Sequence, residues 1–111
     1  MTEKRPDNIY GRRLREARES YDYSQAELAI AIGLDVSSVA PNISRYENGI
    51  HQPKLAMQRL FAQALELPLA YFYTVDDEEA RQIANSERSD KPAQRLIEIR
   101  KKKMMMRRKR K

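Results

Sequence analysis

Apolar residues recur along this chain at three- and four-residue intervals, the spacing of a helix with one buried face. Ile9, Leu14, Ala17 and Tyr21 share such a face, with Arg12, Arg13, Arg15, Glu16 and Glu19 placed elsewhere on the helix. Pro6, Asp7 and Asn8 precede it, and either polar residue can cap its start. Ser24 with Glu27 three positions on forms a capping box, and Leu28, Ala29 and Ile32 follow at helical spacing until Gly33 ends the element. Ile43 and Tyr46 then point inward at i and i+3, leaving Asn42, Ser44 and Arg45 outward, and Asn48 with Gly49 closes that helix. After the loop Ile50-His51-Gln52-Pro53, whose proline suits a first helical turn, a helix over about residues 54–66 directs Leu55, Leu60, Phe61, Ala64 and Leu67 to the core. Pro68 restarts the chain at LPLAYFY, and Asp76 caps a last helix that opens on acids, as the helix dipole favours. The expected fold is all-α, a bundle of about five short helices followed by a basic C-terminal tail.

The organising stretch is Ser24 to Gly49, SQAELAIAIGLDVSSVAPNISRYENG. Two short helices, the second with an inward isoleucine and an outward polar row, make the pattern of a DNA-reading helix-turn-helix. SQAELA, the glycine after it and ISRYENG resemble the lambda-repressor/Cro-type (XRE-family) helix-turn-helix family. LREAR before the motif and the run from Gln52 and Pro53 to Ala62 after it fit the same pattern. The resemblance covers roughly residues 9–77. It departs from the family in one place: nine residues, Leu34 to Asn42, separate Gly33 from Ile43, where the family has about five. The expected consequence is an enlarged turn and a shifted start for the recognition helix, taken here as Ala40–Asn48.

The resemblance implies a lambda-repressor-like bundle that places the start of the recognition helix in the major groove, often as a dimer on a pseudo-palindrome. Anchored on Ile43 and Glu47, its base-facing positions fall on Ala40, Pro41, Asn42, Ser44 and Arg45. Asn42 suits adenine and Arg45 suits guanine, because their donors and acceptors match those base edges, whereas Ala40 and Pro41 offer apolar contact only. Gln25 and Asn48 match family contacts to phosphate, which fix register and not sequence, and helix N-termini favour the same anion. The family also pairs an arginine at the position of Arg18 with the glutamate of the recognition helix, here Glu47, joining the first helix to the third.

Charge changes this picture mainly at one end. Residues 91–111 hold eleven Lys/Arg against the single acid Glu98, whereas residues 1–90 hold eleven against fifteen acids. The high pI belongs to the tail, and the DNA-facing half is close to neutral. The segmentation that follows is a flexible N-terminus at 1–8, a helix-turn-helix domain at 9–75, an accessory acidic helix at 76–88 and a basic tail at 89–111, partly helical or disordered. Ser89 to Pro92 is a helix-start signal, with Leu96, Ile97 and Ile99 behind it. From Arg100 the run RKKKMMMRRKRK is expected to be disordered, since like charges repel at this density. It can contact duplex phosphates, stay solvated, or meet an anionic lipid or RNA.

Several chemistries are excluded by composition. With no cysteine there is no disulfide, thiolate metal site or thiol nucleophile, and His51 alone builds no zinc site. No glycine-rich phosphate loop or nucleophile–base pair is present, so no enzymatic activity, cofactor or metal is expected. No apolar run approaches the roughly 18 residues that span a membrane, and the N-terminus lacks a secretory segment, so a cytoplasmic location is expected. The expected partners are double-stranded DNA and a second copy of the chain, without membrane or small-molecule ligand. Tyr71, Phe72 and Tyr73 cannot all face one way on a helix, so they form either a lid on the core or a dimer surface. The function expected is a sequence-specific transcriptional regulator, a dimeric repressor. The alternatives are an antitoxin or a protein-interaction adaptor that retains the same fold.

Overall fold

The first helix, α1 (Ile9–Ser20), begins where Asn8 supplies a cap, its side chain accepting the Gly11 amide at 3.3 Å. The computed structural model describes residues 8–34, 36–87, 97–102 and 104–105, and these are helical or irregular throughout. The second helix, α2 (Gln25–Ala31), starts on the full capping box: Ser24 Oγ accepts the Glu27 amide at 3.0 Å and the Glu27 carboxylate accepts the Ser24 amide at 2.8 Å. Gly33, at φ +80, takes the left-handed conformation just past the helix end. Then come α3 (Val36–Glu47), α4 (Leu55–Leu65), a 3₁₀ helix at Leu69–Tyr73, and α5 (Asp77–Glu87), which starts where the Asp76 carboxylate accepts the Glu78 and Glu79 amides.

One side chain or two from each helix closes the core: Leu14 and Ala17 of α1, Leu28 of α2, Ile43 of α3, Phe61 and Leu65 of α4, Phe72 of the 3₁₀ helix and Ala80 of α5. Fully burying a leucine, isoleucine or phenylalanine is worth about 1.5–3 kcal/mol each, so this small cluster is the main source of stability. Helices α1 and α3 approach each other closely at Gly11. A Cβ at Gly11 would lie 2.5 Å from the Tyr46 carbonyl oxygen and 2.6 Å from that of Glu47, so only glycine lets the helices meet there.

Several sequence expectations need correction. The nine residues after Gly33 do not make a long turn. Helix α3 begins at Val36, so the four additional residues become one more helical turn ahead of Ala40, and Val39 tucks into the core to hold it. Ile9 is only half-buried, and its neighbour Tyr10 packs inward instead, 5.3 Å from the Phe72 ring. Leu55 is exposed. At the start of α4 the inward position goes to Gln58, whose amide donates to the Pro53 carbonyl and whose oxygen accepts the Tyr73 hydroxyl. Pro53 itself precedes Lys54, the N-cap of α4, and does not occupy its first turn.

Arg13, placed by periodicity on the outer face, is fully buried. Its guanidinium donates to the carbonyls of Thr74 and Val75 and to the carboxylates of Asp77 and Glu16, so burial leaves its charge compensated. The same contacts fix the lead-in to α5. Asp77, itself exposed, also pairs with Arg12 at 3.0 Å. Of the three adjacent aromatics, Tyr71 and Phe72 are buried and Tyr73 is exposed.

The tail is partly helical, one of the two states expected for residues 89–111, and the disorder expected from Arg100 is not seen at residues 100–102 and 104–105. Residues 97–102 and 104–105 are helical, with Ile99 packed against the core and Arg100 paired with Glu27. One apolar anchor and one neutralised cation offset the repulsion that favours disorder. Of the flexible N-terminus expected at residues 1–8, Asn8 is the ordered cap of α1 and residues 1–7 lie outside the described residues, as do the helix start at Ser89–Pro92 and residues 106–111.

Candidate nucleic-acid interface

The outward row of α3 stands on a helix held from behind. Ile43 is completely buried, which fixes the helix rotation and turns Asn42, Ser44 and Arg45 away from the core. Of the five positions expected to face bases, Arg45 and Pro41 are exposed, whereas Ala40, Asn42 and Ser44 are partly exposed. Asn42 and Arg45 meet on the surface, the arginine Nη1 donating to the Asn42 side-chain oxygen at 3.3 Å. This i, i+3 contact places a carboxamide and a guanidinium side by side, the two groups that match adenine and guanine edges.

The C-terminal end of α3 is pinned from three directions. The Glu47 carboxylate, only 4% exposed, accepts Arg18 Nε at 2.6 Å, Arg18 Nη2 at 3.2 Å and the Gln25 amide at 3.1 Å. Arg18 also donates to the Tyr23 carbonyl at 2.7 Å, so its guanidinium spans the α1–α2 connection as well as α3. From the third side, the Asn8 amide donates to the Glu47 backbone carbonyl at 3.2 Å, satisfying one of the carbonyls that a helix end leaves open. The loop past α3 turns through Gly49 at φ +77, directly against Asn8.

Of the expected phosphate contacts, Gln25 lies half-buried with one amide hydrogen committed to Glu47, and Asn48 is exposed but donates back to the Ser44 carbonyl at 2.9 Å. The structure thus groups Arg18, Gln25 and Glu47 in one cluster and Asn42, Ser44, Arg45 and Asn48 along one outer edge of α3. Pro41 stands at the start of that edge, where it interrupts the helical hydrogen bonding between the added turn and the rest of α3. Sequence reasoning missed two residues that shape the site. Asn8 had been assigned only the role of a cap, and its reach to α3 has no local signal. The pairing of Arg100 with Glu27 across 73 positions has none either.

Among the described residues no group of three or more His, Asp or Glu is arranged to hold a metal ion, and no helix is long and apolar enough to cross a membrane. The loop containing His51 lines a cavity of about 170 Å³ together with Asn8, Tyr10, Gly11 and Tyr46. Desolvation, followed by the neighbouring Tyr73 and Tyr46 hydroxyls, pushes the Tyr10 phenol well above its usual range and keeps it neutral.

Comparison with known proteins agrees with this architecture. Residues 9–81 match the model of a helix-turn-helix domain family. No curated protein matches the chain. A crystal structure of the transcriptional regulator BswR superposes with a TM-score of 0.63 at 30% identity, over 83% of this chain and 92% of that one. The chain belongs to the helix-turn-helix domain family.

Proposed function

We propose that this helix-turn-helix protein is a DNA-binding transcriptional regulator, a dimeric repressor that reads a pseudo-palindromic operator through the outer face of α3. The observation that carries the reading is the pairing of Asn42 with Arg45 on a helix whose opposite face is locked by Ile43 and whose end is pinned through Glu47. A base-reading helix must hold its side chains steady before DNA arrives, and this packing does so. The similarity to a transcriptional regulator supports the same class of activity.

In this reading Arg45 contacts guanine and Asn42 contacts adenine, while Ala40 and Pro41 lie against apolar base edges and Ser44 accompanies them. Gln25, through its second amide hydrogen, and Asn48 contact the flanking backbone. Each good bidentate base contact contributes about 1–3 kcal/mol of discrimination, so two of them doubled by a dimer give modest specificity. The second copy docks on the surface after α4, where Tyr73 and Val75 are exposed. Chain segmentation follows as proposed from sequence, with residues 9–75 as the reading domain and the acidic α5 as its accessory.

One observation favours an adaptor or antitoxin instead: most arginines of the domain are engaged by its own carboxylates, which lowers its attraction for phosphate. Selection of bound sequences from a random duplex pool decides between the readings. Enrichment of a pseudo-palindrome supports the regulator. Failure to enrich any sequence overturns it and leaves the adaptor or antitoxin.

A further inference from the structure

A protein that binds duplex DNA must bring cations to the phosphates, and in this fold the domain's own arginines are largely committed. Arg12 and Arg13 hold Asp77, Arg15 holds Glu19, Arg18 holds Glu47 and Arg81 holds Glu78. Among the described residues 8–87, the cations without such a carboxylate are Arg45, Lys54 and Arg59. The shortfall is met elsewhere in the chain. The helical segment at 97–102 returns to the motif, where Ile99 packs on the core and Arg100 Nε lies 3.0 Å from Glu27 Oε2.

The seat for this segment is rigid. Glu27 is 95% buried, and its other carboxylate oxygen accepts the Ser24 amide at 2.8 Å in the α2 capping box, so the group that receives Arg100 is fixed by the helix-turn-helix itself. Glu27 stands two positions from Gln25, whose amide reaches the Glu47 cluster at the end of α3. The Glu27 carboxylate, folded back onto the Ser24 amide, lies at the N-terminal end of α2, the end at which Gln25 begins the helix. The basic segment is therefore moored at the terminus that carries the proposed backbone contact, and the next two side chains, Lys101 and Lys102, are exposed.

We propose that Arg100, moored on Glu27, holds Lys101 and Lys102 as a second arm of the DNA interface that contacts backbone phosphates beside α2. The partner is the sugar–phosphate backbone of the duplex bound by α3. The arm adds affinity and salt dependence without adding sequence preference. It is a fixed part of the binding surface, not a loosely tethered polycation. This inference rests on the DNA-binding reading above.

The test is the dependence of duplex affinity on salt, measured by fluorescence anisotropy with the full chain and one defined duplex. Each phosphate contact contributes about 0.9 to the slope of log affinity against log salt, so K101A/K102A should reduce the slope by about 1.8. Glu27→Gln removes the ionic mooring while retaining a side chain competent in a capping box, and it should reduce the slope in the same direction. Should Glu27→Gln fail to fold, Arg100→Gln releases the segment from the other side without touching the cap. An unchanged slope in K101A/K102A, or tighter binding of the kind expected if the segment masked the site, overturns the proposal while DNA binding stands. A normal slope in both mooring variants with a reduced slope in K101A/K102A also overturns it, because the lysines would then act as a free tether. No binding by the full chain at about 50 mM salt, where electrostatic contacts are strong, instead overturns the DNA-binding reading on which the proposal rests.

Discussion

Replacing Arg18 by methionine should cost about 3–5 kcal/mol, because it strands a buried carboxylate. Glu47 is 4% exposed and Arg18 11%, so neither charge is well solvated. The substitution removes two of the three donors to Glu47, at 2.6 and 3.2 Å, and leaves the Gln25 amide as the remaining one of the set. It also removes the donor at 2.7 Å from the Tyr23 carbonyl. Hydrogen bonds to charged groups are worth about 1.5–3 kcal/mol each, which by itself brings the loss into the same range. A small domain has only about 5–15 kcal/mol in total, so Arg18→Met should lower Tm by more than about 12 °C. The assay is thermal and urea unfolding followed by far-ultraviolet circular dichroism, on Arg18→Met, Glu47→Leu and the double variant. The double variant carries no stranded charge and should be more stable than either single, with a coupling energy of at least about 2 kcal/mol. Losses below about 1 kcal/mol in the singles would mean that the pair behaves as a solvated surface bridge, and strictly additive losses would mean that the two groups are not coupled. Either result refutes the argument that this pair anchors α3.

Arg45→Ala should weaken binding to the preferred site by about 1–3 kcal/mol and leave non-specific binding nearly unchanged, as read by competition with unrelated duplex; equal losses on all sequences would reassign Arg45 to phosphate. Gly11→Ala should destabilise the fold by about 1–3 kcal/mol in urea titrations, since its Cβ meets backbone carbonyls of α3 that cannot rotate away. The Asp77 carboxyl is held below its ordinary pKa, first by the hydrogen bond from Arg13 and then by the charge of Arg12. Its contribution to stability is therefore complete above about pH 4 and is lost as pH falls through the depressed folded value, so Asp77→Asn should reduce the acid-induced loss of stability between about pH 5 and 2. Pro41→Ala restores a helical N–H in α3 and should stabilise the domain by about 1 kcal/mol or more; a loss would show that the turn ahead of residue 41 is not helical in solution.

The parts of this fold legible in the sequence are those decided within a few residues. Ser24 and Glu27 specify their own capping box, Gly33 and Gly49 fall where left-handed backbone is required, and Leu28, Ile43 and Phe61 follow the helical period into the core. Arg13 shows where that reasoning stops. Its burial is possible only because the Thr74 and Val75 carbonyls, more than 60 residues away, converge on its guanidinium. The mooring of Arg100 on Glu27 is invisible for the same reason, since a lysine- and arginine-rich run looks solvated until a buried carboxylate is placed opposite it. At the site itself, periodicity identified the outward row Asn42, Ser44 and Arg45. It did not show that Asn42 and Arg45 bond to one another, or that Gln25 turns partly inward to Glu47.

The stretch from Leu34 to Asn42 was ambiguous on physical grounds. Val36, Ser37, Ser38 and Val39 are indifferent helix formers, and a proline such as Pro41 is most at home in a first helical turn, so local preference favours a late start and a long loop. The extended helix prevails through tertiary contact, since Val39 is buried only if the turn before Ala40 is formed. Four residues rotate a helix by about 400°, one full turn plus roughly 40°, and advance it by about 6 Å. The addition therefore lengthens α3 while Ile43, Glu47 and everything between them stay in register with the core. Pro41 marks the junction, because its missing N–H weakens the bonding between the two parts. Asn42 and Arg45 lie on the C-terminal side of that junction, on the portion locked by Ile43, Arg18 and Asn8. The proposed reading groups thus depend on the well-anchored half of the helix. The added turn changes how far the helix extends ahead of them, but not how firmly they are held.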